Sequence, residues 1–313
     1  MEPIEKYLKL RRLVDAFYDI QDVRMRTANR LRQMPKQTYN LYVGALKKTE
    51  GDLKKEISAI LTNEPIFILF FSRVRGVGPL ISGFIISQTM IRFDQVTKKE
   101  FEKARDLLDD PEATEQAPFT PTQIRLSQKT KAGAYRVPQI RGIDKAPTVS
   151  AYWKWWGLHV EETGRGPRRT RGEKLNYNPK LRAFSWRIKR SFKMQPRLKS
   201  FYRRLYDRYK KRVFDNPRTI TMKSRKVRSP PFSEILKKPQ LCPRYESCKA
   251  SLVNREEPAC RGCLDNMAMK YACKVFLSHV WEQWRIQEGL AVRVPYAIEK
   301  LGHQTYIDWE PDR

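Results

Sequence analysis

The chain has 313 residues, of which 40% are hydrophobic, so it can form a true core and is not a disordered basic tail. Its 63 Lys and Arg residues face 34 Asp and Glu residues, which leaves a net charge of +29. Such an excess destabilises a compact fold by self-repulsion unless a polyanion neutralises it, so nucleic acid is the expected partner. The longest apolar candidate, residues 65–90, is interrupted by Arg73 and Arg75, and we expect no membrane-spanning segment.

The N-terminal sequence MEPIEKYLKLRRLVD lacks the apolar stretch and small-residue cleavage site of a secretory signal. We therefore expect an intracellular protein, cytoplasmic or associated with the nucleoid. Its five cysteines should stay reduced in that compartment.

Apolar residues recur at steps of three and four between residues 7 and 61, and charged residues fill the gaps. This spacing is typical of amphipathic helices. Pro35 interrupts the pattern and a second helix resumes near Thr38, so we expect a helical hairpin or coiled coil over residues 1–64. Homo-oligomerisation through these helices is a further expectation.

The segment FFSRVRGVGPLISGFII, within residues 65–105, predicts two helices joined by a tight turn, as in a helix-hairpin-helix. Gly76 and Gly78 would let the backbone approach a phosphate, whose oxygens accept hydrogen bonds from amides at the start of the second helix. The flanking Arg73 and Arg75 favour phosphate binding over an ordinary turn between packed helices.

Residues 106–148 begin with acidic side chains and continue with prolines, so we expect a surface loop or an insertion. The sequence AYWKWWG follows this stretch. Its tryptophans could stack on nucleic-acid bases, but such residues more often belong to a core.

The basic section, residues 149–235, holds most of the charge, with 24 Lys or Arg against three Asp or Glu between residues 165 and 228. Apolar residues recur at helical spacing in LRAFSWRIKRSFKM and LKSFYRRLYDRYKKRVF. Aromatic side chains should pack one helix face while Arg and Lys contact phosphates on the other; a merely solvated face is the alternative. With the turn, the predicted nucleic-acid-binding residues are Arg73, Arg75, Gly76, Gly78, Arg165, Arg168, Arg169, Arg171, Lys174, Arg182, Arg187, Lys189, Arg190, Arg203 and Arg204.

Four cysteines separated by five, eleven and two residues predict a zinc module over residues 236–266: Cys242, Cys248, Cys260 and Cys263. A Cys-x-x-Cys pair presents two thiolates on one turn, and a second pair completes the tetrahedron that zinc prefers. A redox dithiol, buried free cysteines and an iron–sulfur cluster are the alternatives to structural zinc. Over residues 267–313 we expect a C-terminal helix and tail, with Cys273 as a buried thiol and His279 as a satisfied histidine, not a ligand.

The helical hairpin is followed by V-R-G-V-G-P, W-G-L-H-V-E-E-T-G, Y-N-P-K-L-R and K-V-F-L-S-H-V-W-E-Q-W-R. In this order the motifs resemble the C-terminal half of the insertion-sequence one-ten family of transposases, the RNA-guided bridge recombinases. The similarity covers about residues 10–100, 149–213 and 268–303. Residues 101–148 and the cysteine section look like insertions relative to the family.

The resemblance implies action on DNA, with a structured guide RNA as a further partner. Members of the family combine a metal-dependent nuclease-like domain that has four acidic residues with a C-terminal domain whose serine attacks a DNA phosphate. The chain begins at the helical hairpin, so we expect the acidic domain to be absent. Thr163, before Gly164, matches the family's serine. A base can activate a threonine hydroxyl, although its methyl group crowds in-line attack on phosphorus.

We therefore expect a mainly α protein with a helical hairpin or coiled coil, a helix-hairpin-helix, a basic helical section and a small cysteine zinc module. Its expected function is backbone-directed DNA binding in transposition or recombination. One alternative is an active recombinase whose partner chain supplies the metal-binding carboxylates. Another is an RNA-binding protein, because a basic helix does not distinguish the two polymers without contacts to the 2′-hydroxyl.

Overall fold

The structure, a computed structural model, describes residues 2–110, 113–161, 166–169, 172–222, 225–250, 260–293 and 307–312. Most of these residues are helical, which confirms the prediction of a mainly α protein. The α-helices in the described part are α1 (Pro3–Arg30), α2 (Lys36–Leu61), α3 (Pro65–Leu69), α4 (Pro79–Met90), α5 (Lys98–Asp109), α6 (Pro121–Arg125), α7 (Val149–Trp155), α8 (Pro179–Met194), α9 (Phe201–Asp215), α10 (Phe232–Ile235), α11 (Tyr245–Lys249) and α12 (Cys260–Gln287). The strands are β1 (Ile91–Val96), β2 (Gln128–Lys129), β3 (Tyr135–Ile140), β4 (Arg218–Met222) and β5 (Arg225–Ser229).

The chain divides into two compact units. The first unit contains Met1–Phe67 and Pro79–Lys145, and the second contains Ile68–Gly78 and Ala146–Arg313. The segment Ile68–Gly78, which includes the predicted glycine turn, therefore belongs to the second unit although it interrupts the first in sequence.

In the first unit, helices α1 and α2 lie antiparallel. Lys9 pairs with Glu56 at 2.6 Å near one end of the helix pair, and Arg24 pairs with Glu50 at 2.5 Å further along it. Helix α4 packs across both helices. A Cβ atom at Gly83 of α4 would lie within 3.2–3.4 Å of side chains on α1 and α2, so the missing side chain permits this close approach.

Residues 106–148, expected to be a surface loop or an insertion, are not simply a loop, because they contain two strands of a small sheet. Strand β3 pairs antiparallel with β1, with Ile91 opposite Ile140, and also with β2. Val137 and Ile143 are fully buried. Helix α1 packs on β3, so the apolar side chains of this stretch are covered by a distant part of the chain.

Helix α12 lies at the centre of the second unit, and α7, α8 and α9 pack around it. Each outer helix contributes large side chains to the core. Phe192 of α8, Tyr202 of α9 and Phe276 of α12 are mutually in contact, with ring centroids 4.7–5.2 Å apart. Trp281 donates a hydrogen bond to the carbonyl of Ala146 at 2.6 Å, which ties α12 to the start of this unit's main segment.

Two details of the second unit differ from the sequence expectation. The basic section is not helical throughout, because β4 and β5 form a hairpin in which Arg218 lies opposite Ser229. The C-terminal helix begins at Cys260, inside the predicted zinc module, and not after it. Cys260 and Cys263 therefore lie one helical turn apart on one face of α12 and not on a turn.

Candidate nucleic-acid interface

Two local sequence features define the start of helix α8. The Asn178 side chain accepts hydrogen bonds from the amides of Lys180 and Leu181, at 2.9 and 3.3 Å, and Pro179 occupies the first helical position. The apolar side chains of α8 that are buried are Leu181, Phe184, Ile188 and Phe192. The basic residues between them are left at the sides and on the outer face of the helix.

Helix α9 is amphipathic in the same way. Ser200 caps it by accepting a hydrogen bond from the Arg203 amide at 3.4 Å. Its buried residues are Phe201, Tyr202, Leu205, Tyr206 and Val213. The prediction that most aromatic residues of the basic section pack one helix face is confirmed, although Trp186 of α8 is 48% exposed.

Exposed basic residues lie in the loop before α8, on α8 and α9, in the loop between these helices, and in the β4–β5 hairpin. This set, termed the basic surface, comprises Arg168, Arg169, Lys174, Lys180, Arg190, Arg197, Lys199, Arg208, Lys211, Arg212, Arg225, Lys226 and Arg228. The carboxylates between residues 165 and 228 are Glu173, Asp207 and Asp215. Three carboxylates cannot neutralise thirteen exposed cations, so the surface is strongly positive.

Several predicted binding residues have partners inside the fold. The Arg203 side chain is 14% exposed and donates a hydrogen bond to Asp207 at 2.9 Å. Arg204 lies 3.4 Å from Glu310. Arg187 is half-buried and Arg73 is exposed. Three predicted site residues fall outside the described residues: Thr163, Arg165 and Arg171.

Four basic side chains from α8 and α12 lie close enough to influence one another's charge where these helices pack. This group, termed the lysine cluster, comprises Arg182, Lys189, Lys270 and Lys274. Lys270 and Lys274 are four residues apart and so share one face of α12. The Lys274 ammonium lies 3.9 Å from the centroid of the Trp153 ring, and Lys189 donates a hydrogen bond to Ser185 at 3.1 Å.

The lysine cluster is half-buried, and its members repel one another. Burial lowers the pKa of Lys189, Lys270 and Lys274, in the last case to about 8. Neighbouring cations lower each pKa further: Arg182 acts on Lys189, Lys189 and Arg182 act on Lys270, and Lys270 acts on Lys274. Within the part of the chain that the structure describes, no carboxylate forms an ion pair with any of the four.

The loop after α7 lies against the lysine cluster. A Cβ atom at Gly166 would be 3.1 Å from the Lys270 ammonium. Both ring nitrogens of His159 are buried and lack a hydrogen-bond partner among the described residues. Burial lowers the pKa of His159, Glu161 raises it, and cationic neighbours that include Lys270 lower it, so the ring is neutral at pH 7.

One turn nearer the start of α12, basic side chains meet a carboxylate. Asp265 pairs with Lys193 of α8, pairs with Lys210 of α9 at 2.8 Å, and accepts a hydrogen bond from Tyr206. Its side chain is 15% exposed. Burial raises the pKa of Asp265, but hydrogen bonds from the two lysines and the tyrosine outweigh it and lower the pKa to about 2.

The glycine turn at residues 74–78 is fixed by two other parts of the second unit. Gly76 has a φ of +87°, and its carbonyl accepts a hydrogen bond from Ser191 of α8 at 2.6 Å. The Arg75 amide donates to the Asp312 carboxylate at 2.9 Å. Gly78 is exposed, and a Cβ atom there would meet no other atom within 4 Å.

The cysteines of the predicted zinc module come from three elements. Cys242 and Cys260 pack against the same apolar cluster, which contains Phe232 and Leu264. Burial raises the pKa of Cys263, the Cys248 and Cys242 thiols raise it too, and Arg218 and Arg244 lower it. These neighbours bring the thiols into one region, although no group of three or more His, Cys, Asp or Glu in the described ranges has the arrangement of a metal site.

Two other expectations about α12 are confirmed. Cys273 is fully buried, and burial raises its pKa to about 11. His279 is buried with both ring nitrogens in hydrogen-bond contact, 2.9 Å from the Tyr202 hydroxyl and 2.6 Å from the Ile307 carbonyl oxygen. Burial lowers the pKa of His279 to about 4, so the ring is neutral at pH 7.

Sequence reasoning did not select Lys270, Lys274 or His159 as candidate residues. The two lysines belong to an otherwise apolar helix, AMKYACKVF, in which Ala272, Cys273 and Phe276 are buried. Two lysines four residues apart in such a helix were the available signal, but only the packing of α12 on α8 shows that they meet further cations.

Comparison with protein-family models, with curated proteins and with solved structures found no match to this chain. None of the helices in the described ranges is both long enough and apolar enough to span a membrane.

Proposed function

We propose that the protein binds DNA through the phosphate backbone and acts in transposition or recombination. The observation that carries this proposal is the basic surface, thirteen exposed cations with three described carboxylates among them. Duplex DNA carries about one charge per 1.7 Å of helix axis, so it is a suitable polyanion for a surface that spans two helices and a hairpin. The buried aromatic faces of α8 and α9 anchor the cations of these two helices on the core.

The role in transposition or recombination comes from the motif order in the sequence, and the mode of binding comes from the basic surface. Long, exposed Lys and Arg side chains contact phosphates and fix orientation on the duplex without selecting bases. We therefore propose binding of many DNA sequences with similar affinity.

Salt dependence of duplex affinity tests the proposal. Each neutralised phosphate releases counterions, so log affinity should fall with log salt at a slope of about −0.9 per contact. With about a third of the basic section engaged at once, we expect a slope on the order of −5 to −8. Replacing Arg190, Lys211 and Arg212 together with Gln should make the slope shallower by about 2 to 3 units.

The matched control removes the same charge from the first unit, at the exposed residues Lys47, Lys48 and Lys54 of α2. It should leave the slope within about one unit of the wild-type value. A wild-type slope near −1, or an equal change in both triple variants, would contradict the proposal. Binding of RNA at least about tenfold tighter than DNA of equal length would replace DNA by RNA as the partner.

We also propose that Cys242, Cys248, Cys260 and Cys263 hold one structural zinc ion. Thiolates are preferred zinc ligands, and a Cys₄ site carries two excess negative charges. Arg218 and Arg244 lie next to the thiols and can offset that charge from outside the ligand shell. The Arg218 guanidinium also contacts the sulfur of Met267 at 2.8 Å, which ties the β4–β5 hairpin to α12 beside the cysteines.

A further inference from the structure

The lysine cluster combines four cations without a counter-charge from the described chain. Arg182 and Lys189 approach from α8, and Lys270 and Lys274 approach from α12. Half-buried like charges are unfavourable unless an anion joins them, because burial and mutual repulsion both penalise the charged forms. A protein that needed only packing at this interface would be served better by apolar residues of similar volume.

The surroundings of the lysine cluster supply a further donor for an anion. The Lys270 ammonium lies against Gly166, where a Cβ atom would come within 3.1 Å of it. His159 is near Lys270 and Arg182, and its two buried ring nitrogens have no partner among the described residues. Trp153 lies against Lys274 and donates its indole N–H to the Lys274 carbonyl at 3.1 Å, which fixes this side of the site.

We propose that the lysine cluster binds a single phosphate group of the nucleic acid, with His159 as a neutral hydrogen-bond donor to the same group. Donors from two helices and one loop match the several acceptor oxygens of a tetrahedral phosphate. The identity of the ligand as DNA rests on the proposed function, whereas the site itself requires only phosphate. The basic surface would contact many phosphates along a duplex, whereas the lysine cluster would bind one phosphate in a partly buried site.

The first experiment uses the full chain and inorganic phosphate, titrated calorimetrically at constant ionic strength against chloride. We expect about one phosphate per chain, and a Lys270→Gln/Lys274→Gln variant should bind it at least about tenfold more weakly. A Lys211→Gln/Arg212→Gln variant removes equal charge from the basic surface and should stay within about twofold of wild type. The absence of phosphate binding by wild type, or an equal loss in both variants, would overturn the proposal.

Two further variants separate binding from folding. Lys270→Arg/Lys274→Arg keeps the charges and should retain most of the phosphate affinity. Gly166→Val would press a side chain against the Lys270 ammonium and should weaken phosphate binding, although all four charges are kept. Circular dichroism melting of each variant shows whether it is folded. A folded Gly166→Val variant with unchanged affinity would place the phosphate elsewhere.

The second experiment measures the salt dependence of duplex DNA affinity for the same variants. If the lysine cluster binds one phosphate, the Lys270→Gln/Lys274→Gln variant (the cluster variant) should lose about one unit of slope although it loses two charges. The Lys211→Gln/Arg212→Gln variant (the surface variant) should lose about two units of slope. A cluster variant whose slope is unchanged, or falls by two units, would contradict the single-phosphate site. If the protein binds phosphate at the lysine cluster but does not bind DNA, the proposed function is refuted and the phosphate site is kept. If the Lys270→Gln/Lys274→Gln variant binds DNA as wild type does, the lysine cluster does not bind a DNA phosphate and the proposed function is kept.

Discussion

Helix α12 meets basic side chains of α8 at two places, and the two places differ in how the charge is balanced. At Asp265, the ammonium groups of Lys193 and Lys210 share one carboxylate that is 15% exposed. One to two turns further along, no described carboxylate pairs with Lys270 or Lys274, and the charges that act on them belong to other basic side chains. The same helix pair therefore carries a neutralised site and an unneutralised one.

The difference shows that a count of positive charges does not separate structural from binding roles. Lys193 and Lys210, together with Tyr206, lower the pKa of Asp265 to about 2, so the carboxylate and the two ammonium groups stabilise one another. Lys274 has its pKa lowered to about 8, which means that the folded protein disfavours its charge. A charge that the fold disfavours is retained in proteins mostly for a function, and a phosphate is the ligand that would restore its balance.

The largest expected effect concerns the start of α12, where the cysteine thiols lie beside Arg218 and Arg244. We expect about one zinc per chain of untagged protein by metal analysis. Its removal by a chelator should unfold the region around Cys242 and Cys263, because metal binding and folding are coupled at structural zinc sites. Replacing any of the four cysteines by Ser should also lower the zinc content and the melting temperature.

Cys273→Ala provides the matched control for the zinc prediction. Cys273 is buried in the same helix but lies outside the cysteine pattern, so this change should reduce stability and leave the zinc content unchanged. The zinc proposal would be rejected if untagged protein contained no zinc, or if a Cys263→Ser variant kept its full zinc content. The start of α12 would then owe its cohesion to the apolar cluster around Phe232 and Leu264 alone.

The second effect tests the neutralised site. Asp265→Asn keeps the shape of the side chain but removes the charge that binds two lysines, and we expect it to lower the free energy of unfolding by about 2 to 3 kcal/mol in urea denaturation. Asp207→Asn is the comparator, because Asp207 is 32% exposed and pairs mainly with Arg203. It should cost less than about 1 kcal/mol. Equal costs would mean that Asp265 is an ordinary surface pair.

The third effect tests the unneutralised site through pH. The pKa of Lys274 is about 8 in the folded chain and about 10.4 when unfolded, so between these values the unfolded chain binds more protons. Stability should therefore rise with pH from about 8 to about 10.4, by on the order of 3 kcal/mol. Lys274→Met should be more stable than wild type at pH 7 and should lose this rise.

Lys180→Met, at an exposed position of α8, is the control for that measurement and should leave the pH profile unchanged. Saturating phosphate should also flatten the wild-type profile, because a bound anion raises the pKa of Lys274. A Lys274→Met variant that is less stable than wild type at pH 7 would show that the ammonium contributes to the fold, as Lys193 does.

The sequence was sufficient for the elements that depend on local periodicity. Helices α1, α2, α8, α9 and α12 follow from apolar residues at steps of three and four, and the aromatic faces of α8 and α9 were predicted correctly. Strand β3 was missed because YRVPQI is short, includes a proline and is covered by α1 from far along the chain. The β4–β5 hairpin was hidden by the charge of a section expected to be helical throughout.

The candidate site was predictable only in part, for a similar reason. Exposed Lys and Arg on α8 and α9 follow from composition and helical spacing. The lysine cluster depends on α8 meeting α12, and Lys189 and Lys270 are far apart in sequence. Nothing in the local pattern distinguishes Lys193, which meets a carboxylate, from Lys189, which does not. Only tertiary packing assigns each lysine its neighbour.

The smallest expected effect concerns the glycine turn. One of its backbone amides binds a carboxylate of the protein, and another is proposed to bind a phosphate. The Arg75 amide already donates to the Asp312 carboxylate, as Lys193 does to Asp265. Gly78 is exposed, has no φ in the left-handed region and would accept a side chain without a clash. Gly78→Leu should therefore fold normally and block close approach of a phosphate, lowering duplex affinity about fivefold, equivalent to about one hydrogen bond.

The loss from Gly78→Leu should be the same for all DNA sequences, because backbone amides contact phosphates and not bases. Gly51→Leu is the matched control: it lies on α2 with open space around it and should leave affinity unchanged. Gly76 is unsuitable for this test, since its φ of +87° would strain any other residue. If folded Gly78→Leu binds duplex DNA as tightly as wild type, the turn does not bind phosphate and, like Asp265, has only partners within the protein. Phosphate binding would then depend on the basic surface and the lysine cluster.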